Sequence, residues 1–196
     1  AGGGCARLAD PRHRRRLTVR ADRGPAPPYA AAVSMQRQAP DPGTLADVTT
    51  LGVGGAPARW AAATTEADLI AVVAEADRRG EPVLLVGGGS NLLVGDDGFD
   101  GVAVRIATRG VAAAGDACGG EEVTVAAGET WDELVARAAD SGWVGIEALS
   151  GIPGQVGATP IQNVGAYGQE VADTLVSVTA YDRQSAQVVL LAAREC

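Results

Sequence analysis

From Thr49 onward the chain alternates apolar and polar positions in patterns that predict secondary structure. Residues 59–63 (RWAAA) suit a short strand. Residues 65–68 (TEAD) form a capping-box pattern, and Leu69, Ile70, Val72, Val73 and Ala76 follow at helical spacing. Arg78 and Arg79 before Gly80 close that helix as its dipole prefers. The apolar run 82–86 (PVLLV) predicts a buried strand, and 101–106 (GVAVRI) and 122–127 (EVTVAA) predict two more. Residues 130–133 (TWDE) repeat the capping-box pattern and open a second helix that ends near Gly142. Residues 143–170 read as a long loop-rich segment. Residues 174–181 and 187–192 alternate well enough to form a hairpin around DRQS. Helices and strands mix without strict alternation, which predicts an α+β fold.

Residues 1–34 show no such periodicity and are expected to form a disordered or non-native tail. RHRRR at 12–16 and GPAPP at 24–28 bracket no apolar segment. A basic nucleic-acid arm or an organellar transit peptide are alternatives. Sequence upstream of the native start is favoured, because Met35 is the only methionine and stands where the folded pattern is about to begin. The chain stops at REC straight after a predicted strand, which reads as a cut rather than an ending.

Composition narrows the chemistry. The chain has 196 residues, 46% of them hydrophobic and 20% charged, so it can bury a real core. No apolar run approaches the length of a bilayer span. All 16 basic residues are arginine, which excludes a Walker A loop, a pyridoxal phosphate Schiff base and a kinase phosphate clamp. The only histidine is His13, so a Ser-His-Asp triad in the folded part is excluded. Cys5, Cys118 and Cys196 form no paired motif, which leaves zinc and iron–sulfur sites without ligands. The net charge is −8, and the acids concentrate in the main body, which argues against a nucleic-acid partner.

Two glycine-rich stretches carry the candidate chemistry. GGGSN at 87–91 follows a predicted strand directly. Its glycines allow close backbone approach and an inward-facing nest of N–H groups, while Ser90 and Asn91 add donors, a set that suits a diphosphate. It is not a Rossmann fingerprint, because Leu92 stands where the third glycine is required. A plain turn between strands is the alternative. The second stretch, residues 148–169, carries no charge. A buried loop of this kind must satisfy its backbone groups, and an isoalloxazine ring with its N and O edges could do so. A glycine- and proline-rich core crossover is the alternative. TTLGVGG at 49–55 is a third glycine-rich segment that says little alone. Trp60, Trp131 and Trp143 are expected in the core, and Glu147 is read as structural.

Together and in this order, TTLGVGG, GGGSNLL and SGIPGQVGATPIQNVGAYG (150–168) resemble the UDP-N-acetylenolpyruvoylglucosamine reductase (UDP-N-acetylmuramate dehydrogenase) family. The resemblance runs from about Asp47 to Cys196. It implies an FAD-binding domain over residues 35–196, of the vanillyl-alcohol-oxidase/PCMH-like type. Two small α+β subdomains, about 47–107 and 108–196, are expected, with the substrate domain absent. The implied cofactors are FAD and NADPH. NADPH would reduce the flavin, which would pass hydride to the enolpyruvyl double bond of UDP-N-acetylglucosamine enolpyruvate in peptidoglycan precursor synthesis. The implied cofactor-binding residues are Gly87, Gly88, Gly89, Ser90, Asn91 and Leu92 in the first stretch. In the second they are Ser150, Gly151, Ile152, Pro153, Gly154, Gly157, Ala158, Thr159, Gln162, Asn163, Gly165 and Ala166. Tyr167 is the implied substrate contact.

The family's Tyr-Arg pair, serine proton donor and catalytic glutamate would all lie beyond Cys196, and Arg194 precedes the catalytic arginine without being it. No catalytic residue and no metal site is therefore expected in this chain. The resemblance further implies a cytoplasmic monomer with a small-molecule substrate and no nucleic-acid or membrane partner. A catalytically inactive FAD-binding fragment, or another flavin oxidoreductase of the superfamily, is the alternative.

Overall fold

The computed structural model describes residues 42–115 and 120–196, together with the backbone of residues 15–20. Beside a small two-stranded sheet, two main sheets divide the described residues. The smaller contains β2 (Pro57–Ala63), β3 (Val83–Val86) and β4 (Phe99–Ile106), all parallel, in the order β2-β4-β3. Helix α1 (Glu66–Arg79) carries the chain from β2 back to the start of β3. Its boundaries follow from its ends. The Thr65 hydroxyl accepts from Asp68 N at 3.1 Å, and Asp68 Oδ2 accepts from Thr65 N at 2.9 Å. Gly80 takes φ 64° and donates its N–H to the carbonyls of Ala76 and Asp77.

Both faces of this sheet are covered, and β4 shows how. Val102 and Val104 pack with Ala63 and Ala76 on the helix side. Ala103 lies among Leu45, Val86 and Trp60, on the side closed by the segment before β2. A central parallel strand buried on both faces reads as the continuous apolar run seen in the sequence.

The larger sheet has the path β11-β10-β1-β6-β5. Strands β5 (Val111–Gly115) and β6 (Glu121–Val125) form one antiparallel hairpin. Strands β10 (Leu175–Asp182) and β11 (Gln187–Ala192) form another. Between them lies β1 (Arg15–Arg20), parallel to both, with Val19 opposite Val123 on one side and Leu175 on the other. Its first two residues also pair with β7 (Trp143–Val144). Helix α2 (Trp131–Asp140) buries Trp131, Leu134, Val135 and Ala138 in one stripe, in a core shared with Val123, Val125, Ile146 and Leu149. The indole N–H of Trp131 donates to Leu149 O at 3.1 Å, so this large ring is buried with its one donor satisfied.

Three expectations change here. Residues 15–20 lie inside the stretch expected to be a tail and instead hold a central strand position. LTV between arginines is too short to show a period, and its pairing comes from strands far along the chain. The rest of residues 1–34, with Cys5, His13 and Cys118, lies outside the described residues. The second capping box also fails, because the Thr130 hydroxyl makes no cap bond. Thr130 is held instead in a bridge with Gln155, and Trp131 N donates to Gly154 O at 3.0 Å, so the neutral segment itself caps α2. Strand β5, rich in alanine and glycine, gave no alternating signal.

Candidate functional site

The three glycine-rich segments converge at the C-terminal end of the smaller sheet. Residues 87–91 leave β3 at Val86. Gly89 has φ 70°, and a Cβ there would collide with the carbonyl oxygen of Val48. Thr50 N donates to Gly89 O at 3.0 Å, which ties residues 49–55 to residues 87–91. A Cβ on Gly88 would sit 2.9 Å from the Cα of Gly154. Residues 87–91 and 148–169 therefore touch backbone to backbone, with no side chain between. Gln155 completes the junction by donating from Nε2 to Ile106 O at 3.1 Å, the last residue of β4. Parallel sheets bind ligands outside the carboxyl ends of their strands, and this is that end.

A cavity of about 510 Å³ opens at the junction, lined among others by Val86, Gly87, Ile106, Gln155, Arg105 and Arg109. Ser90 and Asn91 are exposed, and neither side chain has a hydrogen-bond partner among the described residues. The Arg109 guanidinium donates to Gly128 O at 2.5 Å and lies 3.4 Å from Glu129. Asp47 also borders the cavity. Bonds from the backbone N–H and hydroxyl of Thr44 hold its carboxyl below the usual aspartate value.

The residues singled out in the neutral segment divide into two groups. In the first, side chains or backbone are committed within the protein. The Ser150 hydroxyl and Gly151 N both donate to Asp132 Oδ1, at 3.1 and 2.6 Å. Ile152 and Ala166 pack against the larger core, as Leu92 does against the smaller. Thr159 is buried with its hydroxyl on Val156 O. Gly157 N donates to Ala127 O. Asn163 takes φ 40° after the short helix α3 (Thr159–Gln162), donates from Nδ2 to Glu170 and accepts from Ala172 N.

In the second group the surface is open. Pro153 and Gln162 are exposed. Tyr167 is 96% exposed at φ 51°, at the turn between β8 (Gly165–Ala166) and β9 (Gln169–Glu170). Ala158 is half-buried, and Gly165 takes its place in β8. The segment was expected to be buried, yet Ile161 is 85% exposed. The physical reason is that α3 and the β8–β9 hairpin stand on the surface and turn only part of their area to the core. Sequence reasoning missed Arg105, Arg109 and Asp132. The signal for Arg105 was a charge inside the apolar run GVAVRI.

Among the described residues, no cluster of histidine, cysteine, aspartate or glutamate could hold a metal ion, and no helix is long and apolar enough to cross a membrane. A family described as FAD binding domain matches residues 57–190, from β2 into β11. The chain belongs to this family. Relatives that match it are named UDP-N-acetylenolpyruvoylglucosamine reductase. The protein of that name from Streptomyces coelicolor is 54% identical over 152 residues, 78% of this chain and 38% of its own length. That from Cutibacterium acnes is 57% identical over 139 residues, 71% of this chain and 37% of its own length. The FAD binding domain is also similar to the crystal structure of UDP-N-acetylenolpyruvylglucosamine reductase from Thermus caldophilus. There the TM-score is 0.61 and the identity 31%, covering 78% of this chain and 52% of that one. The chain thus spans well under half the length of the curated relatives it matches.

The residues present fit FAD. Residues 87–91 leave the smaller sheet at its carboxyl end, Gly87 lines the adjoining cavity together with Arg105 and Arg109, and Ser90 and Asn91 are exposed with unengaged donors.

Proposed function

We propose that this chain is the flavin-holding part of a UDP-N-acetylenolpyruvoylglucosamine reductase, which uses NADPH to reduce UDP-N-acetylglucosamine enolpyruvate. One observation carries this reading. The family match over residues 57–190 includes two of the glycine-rich segments that the fold brings together, 87–91 and 150–168, and relatives at 54% and 57% identity carry that name. When bound, FAD supplies hydride chemistry that no side chain of this protein can. The protein's own work is binding and positioning. The backbone of residues 87–91, with Ser90 and Asn91, holds the diphosphate. The neutral surface of residues 150–168 lies against the ring system, where an absence of charge avoids a desolvation cost. Asp132 keeps Ser150 and Gly151 in place, and Gln155 keeps the two sheets in register at the site. Tyr167, held outward at its turn, contacts substrate. The same reading makes the enzyme a cytoplasmic monomer with no nucleic-acid partner, in keeping with a net charge of −8.

The test is a chimera in which residues 42–196 replace the matching segment of the Streptomyces coelicolor relative. The chimera is expected to purify with FAD and to consume NADPH in the presence of the enolpyruvyl substrate. A chimera that folds and holds FAD but shows no substrate-dependent NADPH oxidation would reject the reading. The chain of 196 residues alone is expected to hold FAD and to show a rate lower by at least about two orders of magnitude, because no described residue in the neutral segment is a strong acid or a cation.

A further inference from the structure

From Val102 onward strand β4 alternates between two buried faces, and near its C-terminal end a charge takes the next position. Val102 and Val104 face α1, while Ala103 faces Val86 and Leu45. Arg105 follows Ala103 on that second face, at the C-terminal end of the strand. Its register partner is Val86, the last residue before Gly87. Arg105 is half-buried and lines the same cavity as Gly87.

Its electrostatic position is unusual. Arg59 and Arg183, the other arginines that join distant parts of the fold, each have a carboxylate, Glu81 at 2.8 Å and Asp77 at 2.6 Å. Arg109, across the cavity, has Glu129. Asp47 is the remaining carboxylate on the cavity wall, and its Oδ2 is taken by Thr44. No hydrogen bond or ion pair engages the Arg105 guanidinium among the described residues. A partly desolvated cation without a partner is costly, and an anionic ligand beside it relieves that cost. The adjacent loop offers backbone N–H groups but no charge, and the chain has no lysine to add one. A planar guanidinium can meet two phosphate oxygens at once, which adds both energy and direction.

We propose that Arg105 is the cation that binds the FAD diphosphate, so that this site discriminates phosphorylated from unphosphorylated flavin by charge. This rests on the reading of the chain as an FAD binding domain. Arg105 is a binding residue here and takes no part in the transfer of hydride.

The experiment titrates the full chain with FAD, riboflavin, ADP and UDP by calorimetry and flavin fluorescence, at several salt concentrations. It compares the natural protein with Arg105→Gln and Arg105→Lys, and thermal melts check that all three fold. Arg105→Gln is expected to weaken FAD and ADP by about 10- to 100-fold, the usual loss when a charged hydrogen-bond partner is removed. Riboflavin affinity should stay unchanged, and the salt dependence of FAD binding should flatten. Arg105→Lys should recover part of the loss and most of the salt dependence. Unchanged FAD affinity in Arg105→Gln overturns the proposal while leaving the FAD reading intact. So does an equal loss for riboflavin and FAD, or a loss confined to UDP, which would assign the arginine to a different diphosphate. A natural protein that binds no FAD at all would reject the underlying reading itself.

Discussion

The two sheets reach a closed core by different routes. In the smaller one, β2, β3 and β4 are consecutive described strands and α1 returns the chain between the first two, so sequence order and spatial order nearly agree. In the larger one, each hairpin is local, but neither β6 nor β10 pairs with the other. Both pair with β1, from the far end of the chain. Local sequence is enough to assemble the first sheet and insufficient for the second, whose two halves share a strand that neither contains. The two units then meet through glycine backbone at residues 88 and 154, through the bond from Gln155 to Ile106 O, and through an exposed ion pair, Arg183 with Asp77.

Removing residues 1–20 should therefore break the symmetry between the units most severely. Amides of β6 and β10 are expected to lose hydrogen-exchange protection, while those of β2, β3 and β4 keep theirs. Uniform protection after the deletion would show that β6 and β10 close on each other without β1. Next in size, Gly89→Val is expected to unfold the smaller unit, because its Cβ meets the Val48 carbonyl and its φ of 70° disfavours a branched residue. Circular dichroism melts of this variant should show no cooperative transition for that unit. A variant that melts normally would mean that the segment before β2 can move aside. Trp131→Ala empties the centre of the larger core and should cost roughly 3–5 kcal/mol in chemical denaturation. A loss under about 1 kcal/mol would show that the core around α2 collapses to fill the space.

What was legible in the sequence follows the same division. Strand β4 announced itself as an apolar run because it is buried on both faces, and α1 because Thr65, Asp68 and Gly80 mark both its ends. Strand β1 left no trace, since LTV between two arginines is too short to show a period and its backbone partners lie in other parts of the chain. At the site, the glycines were visible as a composition, but their cause was not. Gly88 and Gly89 are required first by contacts with Gly154 and Val48, and only then by a ligand. Arg105 was overlooked because a charge at a strand end is ordinary until the cavity beside it is known.

The smallest expected effect is on acid stability. The carboxyls of Asp47, Asp68, Asp77 and Glu81 in the smaller unit, and Asp182 in the larger, sit below their ordinary values. The leading causes are bonds from the Thr44 backbone, the Thr64 side chain, Arg183, Arg59 and Ser185 respectively. A carboxyl depressed by folding stabilises the native state above its unfolded value. That contribution fades as pH drops below the ordinary 3.8 for aspartate and 4.5 for glutamate, and is gone below the folded values. Four of the five lie in the smaller unit, so its melting temperature should fall first below about pH 4. Solvent screening keeps the difference modest. Simultaneous loss of both units on acid titration would mean that they unfold as one.

The place of β1 also has a consequence during synthesis. This strand leaves the ribosome before every other described strand, yet Leu175, one of its partners, emerges only after β2 to β9 have been made. The smaller sheet can form while the rest of the chain is still being made. The larger one must wait for β10, with one edge of β1 unpaired even after β6 has joined the other, and it inherits the slow closure of contacts between distant parts of a chain. A nascent chain stalled after β9 should accordingly present β1 with an open edge, and that interval is when a chaperone has most to protect.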